Sequence, residues 1–223
     1  MTSTKLAFDV EGAVRVSALL ESPRCARACY VFAHGAGAGM AHPFMQAVAD
    51  GLARRDIATL RFQFPSMERG SRRPDSPRVA HAAIRAAVAI AASTGLPLLA
   101  GGKSFGGRMS SQAQAAEPLP GVRGLVFFGF PLHPADKPSI ERAAHLDDVA
   151  CPMLFLQGTR DELADLGLVR SVTDRLGPRA TLVLLDDADH AFHVRKSSGR
   201  SDAEMLDAAL DAVSRWFDTA IGH

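Results

Sequence analysis

The sequence has little of what staples, spans or strongly charges a protein. Its 223 residues include three cysteines, Cys25, Cys29 and Cys151. A small odd number argues against a disulfide framework and for free thiols in a reducing compartment. Cys25 and Cys29 stand four apart with no second Cys/His pair at ligand spacing, which argues against a zinc site. Lys and Arg total 25 against 24 Asp and Glu. That balance gives no electrostatic reason to expect a nucleic acid or an anionic membrane as partner. The densest basic stretch, "ERGSRRPDSPR", is interleaved with Pro, Gly, Ser and acids and reads as a solvated loop. The longest apolar run, "RAAVAIAASTG", is broken by polar residues and too short for a bilayer. The opening "MTSTKLAFDVEGAV" lacks the apolar centre of a signal peptide. These absences predict a cytoplasmic protein held together by its core alone.

What is present is a rhythm of strand and helix. "KLAFDV" and "AVRVSALL" read as two strands joined at Glu11-Gly12, an opening hairpin. "ACYVFAH", "IATLRFQF", "LPLLAGG", "VRGLVFFGF", "PMLFLQG" and "ATLVLLD" are short and almost wholly apolar, as strands covered on both faces must be. Helical periodicity runs through "HPFMQAVADGLARR", "SPRVAHAAIRAAVAIAAS", "SFGGRMSSQAQAA" and "SDAEMLDAALDAVSRWFDTA", the last with Ser201 as N-cap. Alternation of this kind predicts an α/β fold: a doubly wound, mostly parallel sheet of about seven or eight strands. An antiparallel N-terminal edge and helices on both faces complete it. The eight strand-like segments fit one domain over 1–223 better than two.

The stretch "LPLLAGGKSFGGRMSS" carries two motifs. Gly102-Lys103-Ser104 could end a phosphate loop, G-x-x-x-x-G-K-[ST]. The first glycine would then be residue 97, which is Pro97, and the loop itself would be the apolar "PLLA". The second motif, G-x-S-x-G over Gly102 to Gly106, sits between a strand and a helix, where a nucleophile elbow belongs. Serine needs a base and the base needs an orienting carboxylate, in the chain order Ser, Asp, His. Asp161 follows "PMLFLQG" and His190 follows "ATLVLLD", each at the strand end where parallel sheets gather active residues. His193 lies three residues beyond His190, and spacing alone does not exclude it. An acyl-transfer site also needs backbone N–H groups aimed at an oxyanion. Phe105, just after the serine, supplies one. Ala36, in "FAHGAGAGM" after an early strand, supplies the second, with Gly37 close behind. The same loop fits a dinucleotide fingerprint poorly, since it reads G-x-G-x-G.

Together these motifs resemble the α/β-hydrolase superfamily from "VFAHGAGAG" through "GGKSFGGR" and "LQGTRDE" to "ADHAFH". The short form is similar to the dienelactone-hydrolase-like branch, with serine where that enzyme uses cysteine. It is closer still to a small group of hydrolases marked by "RFQFPSMERGSRRPD" and "FGFPLHPADKP". The resemblance implies a triad of Ser104, Asp161 and His190 that cleaves an ester, thioester or related acyl bond of a small molecule, with no cofactor and no metal. Two alternatives stand beside it: an acyltransferase using the same triad, and a hydrolase-fold interaction module. The segment between "FFGF" and "CPMLF" leaves little room for a lid. His34, Gly37, Pro131, Leu132 and His133 follow strand ends, where they either line a substrate pocket or pack as ordinary loop. Neither the substrate nor the oligomeric state is legible.

Overall fold

The computed structural model describes residues 2–11 and 14–221. Gly12 and Ala13, part of the expected hairpin turn and strand start, lie outside the described residues. The strands are β1 (Thr2–Asp9), β2 (Arg15–Ser22), β3 (Ala28–Ala33), β4 (Ile57–Phe62), β5 (Leu98–Lys103), β6 (Val122–Phe128), β7 (Met153–Gly158) and β8 (Ala180–Leu185). They form one eight-stranded sheet in the order β1-β2-β4-β3-β5-β6-β7-β8. β1 runs antiparallel to β2, and β2 antiparallel to β4. Every other pairing is parallel. Three inner strands are buried throughout: each residue of β3, β4 and β7 is buried, including Arg61 and Gln157.

The helices are α1 (Pro43–Ala53), α2 (Pro65–Glu68), α3 (Pro77–Ala92), α4 (Phe105–Ala116), α5 (Leu166–Leu176) and α6 (Asp202–Trp216). Their apolar stripes make two cores, one on each face of the sheet. Ile84 and Val88 of α3, Met109 of α4 and Val169 of α5 join Phe127 and Phe155 in one. Val48 and Leu52 of α1 and Leu210 and Val213 of α6 join Phe32 and Phe128 in the other. Local signals set the helix ends. Pro43 opens α1 behind His42, whose ring accepts from the Phe44 N–H. Ser201 caps α6 in a full capping box with Glu204. Between β6 and β7 the chain forms only a 3-10 helix, Glu141–Asp148, and no lid. Among the described residues no helix is long and apolar enough to cross a membrane.

A buried ion pair ties β2 to β4 in the antiparallel half. Arg61 Nη2 lies 2.6 Å from Glu21 Oε2, with side chains 1% and 6% exposed. Arg61 also donates to the Met40 carbonyl and to Gln46 Oε1. Met40 in turn donates its N–H to Gln63 Oε1. The far end of the loop after β3 is thereby anchored to β4.

Candidate active site

The strand order reverses between β3 and β5, and ligands of open α/β sheets bind at such a switch point, beyond the strands' C-terminal ends. Ser104 stands there, one residue past β5, with φ 50° and ψ −113°. A non-glycine backbone in this region is strained and persists only where its surroundings impose it. The flanking glycines explain how. A Cβ on Gly102 would meet the Ala33 carbonyl oxygen at 2.2 Å, and one on Gly106 would meet the same oxygen at 2.3 Å. The elbow is thus pressed against the end of β3, and only hydrogen fits at both places.

Ser104 Oγ donates to His190 Nε2 at 2.8 Å. His190 Nδ1 donates to Asp161 Oδ2 at 2.7 Å. The Asp161 side chain is fully buried and the imidazole is 24% exposed. Asp161 is held on every side: Gln157 Nε2 donates to Oδ2 at 2.5 Å, and the Leu163 N–H donates to Oδ1 at 2.8 Å. Gln157 is itself buried in β7 and takes the Phe130 N–H on its Oε1. With Nδ1 carrying the hydrogen that Asp161 accepts, Nε2 is the acceptor of the Ser104 hydroxyl hydrogen bond. The sequence reading missed Gln157, whose one signal is a polar residue in the otherwise apolar "MLFLQG".

Ala36 lines the pocket beside Ser104. Phe105 is the first residue of α4, so its N–H has no partner within the helix. Among the described residues neither the Ala36 nor the Phe105 N–H has a protein acceptor. The positive end of α4 also points at the serine.

The pocket is a cavity of about 430 Å³. Ser104, His190 and Gly35 line it together with the apolar Ala36, Ala38, Phe44, Met45, Leu163 and Ala191, with His42 and Lys103 as further polar members. His34, Gly37, Pro131, Leu132 and His133 do not line it. His34 is 1% exposed and both ring nitrogens are engaged: Nδ1 with the Gly35 carbonyl at 2.7 Å, Nε2 with the Phe64 N–H at 3.1 Å. Burial pushes its pKa down, which keeps the ring neutral and able to donate and accept at once. It shapes the loop from beneath. Gly37, at φ 70°, turns the loop toward Arg72. Leu132 and His133 fold into the body, 1% and 3% exposed. His133 Nε2 accepts from the Asp165 N–H and Nδ1 contacts the Pro134 carbonyl. Pro131 is buried with them. These residues follow a strand end as expected, but the chain turns down onto β7 and α5 instead of over the serine.

His193 lies apart from the serine. Its Nδ1 is 2.8 Å from Asp202 Oδ2, and its side chain is 66% exposed. Among the described residues no group of three or more His, Cys, Asp or Glu is arranged to hold a metal ion.

A family model described as an alpha/beta hydrolase domain matches residues 26–218. Among solved structures, the chain is similar to XC6422 from Xanthomonas campestris, described as a serine hydrolase without lid. Identity is 23% over 96% of this chain and 94% of that one, with a TM-score of 0.75. It is similar to dienelactone hydrolase from Anabaena variabilis at 22% identity over 99% of both chains, TM-score 0.75. It is also similar to Est1E from Butyrivibrio proteoclasticus at 16% identity over 98% and 99%, TM-score 0.71. Likeness at these identities is likeness of fold.

Proposed function

Because the chain belongs to the alpha/beta hydrolase family, we propose that it hydrolyses an ester, thioester or related acyl bond of a small molecule through an acyl-serine at Ser104. The observation that carries this reading is the hydrogen-bond line Ser104 Oγ to His190 Nε2 to Asp161, open at its serine end to a pocket. His190 Nε2 takes the hydroxyl proton as Oγ attacks the carbonyl carbon. The carbonyl oxygen becomes an oxyanion, and the Ala36 and Phe105 N–H groups are free to receive it. Asp161 stabilises the imidazolium and stays ionised. The imidazolium then gives its proton to the leaving oxygen or sulfur, and the acyl group remains on Oγ. Water, deprotonated by His190, attacks the acyl-serine and restores the enzyme. The apolar walls and modest volume favour a short or single-ring acyl group over a long chain.

A fluorophosphonate probe should label Ser104 of the wild type and leave Ser104→Ala unlabelled. Ser104→Ala should lose on the order of 10⁶ in kcat if the triad acts as a unit, while its unfolding transition stays near that of the wild type. Across p-nitrophenyl esters of rising chain length, kcat/KM should peak at short acyl groups. An alanine variant that hydrolyses these esters at the wild-type rate would overturn the proposal.

A further inference from the structure

The residue before the nucleophile is the lysine that gives the elbow its phosphate-loop appearance, and the mechanism above does not use it. Lys103 is the last residue of β5. Its stem passes Gly35, where an added Cβ would touch Lys103 Cγ at 3.7 Å. Its Nζ donates to the main-chain carbonyl of His190. The ammonium lies 5.3 Å from the Phe192 ring centre and 5.8 Å from that of Phe44. A Cβ on Gly129 would stand 2.9 Å from Nζ and 3.4 Å from Nδ1 and Cε1 of His190. The bare Cα of Gly129 is the clearance that seats cation and imidazole side by side. Among the described residues no carboxylate is within ion-pair distance of Lys103.

Burying an ammonium among apolar groups is costly unless something compensates. Two rings and one carbonyl do so here, and the carbonyl belongs to the residue that carries the base. The loop after β8 has its own internal bonds: Asp189 N–H to the His193 carbonyl, and the Ala191 and His193 N–H groups to Asp189 Oδ1. Those bonds shape the loop. The root of the loop is tied to the end of β7 by the Arg160 N–H on the Ala188 carbonyl and the Asp187 N–H on Thr159 Oγ1, and the imidazole to Asp161. The Lys103 bond adds a direct tie from the main chain of His190 to the residue next to Ser104.

We propose that Lys103 is a positioning residue: its ammonium, caged by Phe44 and Phe192, holds the main-chain carbonyl of His190 and so sets the imidazole against Ser104 Oγ. The proposal rests on the hydrolase reading above. The charges facing the ammonium are Asp161, on the loop after β7, and Asp189, on the loop after β8. Gly35, Gly129 and Phe44, from the other elements around it, present no charge. Burial outweighs the two carboxylates and lowers the lysine to about 8. The charged tether is therefore mostly formed at pH 7 and is lost as pH rises through about 8.

The test compares wild type and Lys103→Met, full-length, on one neutral p-nitrophenyl ester and on the matching ester with a terminal carboxylate. Lys103→Met should lose about 10²-fold in kcat on both, the order of loss from misplacing a catalytic group by about 1 Å, with KM nearly unchanged. Fluorophosphonate labelling of Ser104 should slow in step. Wild type, which needs no variant to fold, should lose part of its kcat between about pH 7 and pH 9. A Lys103→Met enzyme with wild-type kcat and labelling rate would overturn the inference and leave the hydrolase reading standing. So would a loss confined to the KM of the carboxylate ester, which would make the lysine a substrate contact, or a wild-type kcat flat through pH 8. A wild type that neither turns over nor labels at Ser104 would remove the hydrolase reading itself.

Discussion

Two histidines stand three residues apart after β8, and only one meets the serine. His190 Nε2 is 2.8 Å from Ser104 Oγ. His193 turns to Asp202, whose hydrogen bond raises its pKa. The stretch between them is a turn, in which Phe192 at φ 69° points inward and His193 outward. The helical arrangement that would give both histidines one face does not arise. His190→Ala should cost several orders of magnitude in kcat/KM, and His193→Ala about tenfold or less. Measuring both variants on one activated ester decides it, and a crippled His193 variant beside a healthy His190 variant would reverse the roles. Ser104, Asp161 and His190 are legible in the sequence because each sits at a strand end in a fixed chain order. Gln157 and Lys103 are not, because their partners lie 4 residues on within a turn and 87 residues away in sequence. A residue that acts through another leaves no motif.

Elements are most legible where local sterics dictate them. Gly102 and Gly106 mark the elbow because both abut the Ala33 carbonyl, and Ser201 marks the start of α6 because a serine three before a glutamate closes a capping box. The segment after β6 stays open between two readings because a strand end does not reveal which way the chain folds next; Leu132 and His133 are buried against the body as ordinary loop. The ion pair between β2 and β4 is equally hidden, since Glu21 and Arg61 look like ordinary charges in sequence. It sets up a prediction at this scale. Glu21→Ala leaves a buried guanidinium without its carboxylate, and should cost about 3–5 kcal/mol in urea unfolding. Arg61 still holds the Met40 carbonyl at 3.0 Å, so the folded remainder should keep much of its activity per active molecule. A loss below about 1 kcal/mol would mean that water replaces the carboxylate without penalty.

At the scale of the whole molecule, the three thiols report on the packing of the fold. Cys25 is exposed, Cys29 is buried and Cys151 is intermediate. Burial raises Cys29 to about 12 and Cys151 to about 11, so neither forms thiolate at neutral pH. A chromogenic disulfide reagent should titrate one thiol quickly in the native protein and all three after denaturation. Three equally fast thiols in the native state would mean that β3 opens far more readily than its complete burial implies. The division of labour across the chain has a different consequence. The proposed reacting groups come from residues 104, 161 and 190, while most of the pocket lining comes from residues 36–45 together with Leu163 and Ala191. Appetite and chemistry are therefore housed apart. Ala38, His42, Leu163 and Ala191 can be exchanged for larger or smaller side chains without touching the hydrogen bonds of the serine, so under the proposed function the scaffold offers a dial for acyl size that leaves the engine in place.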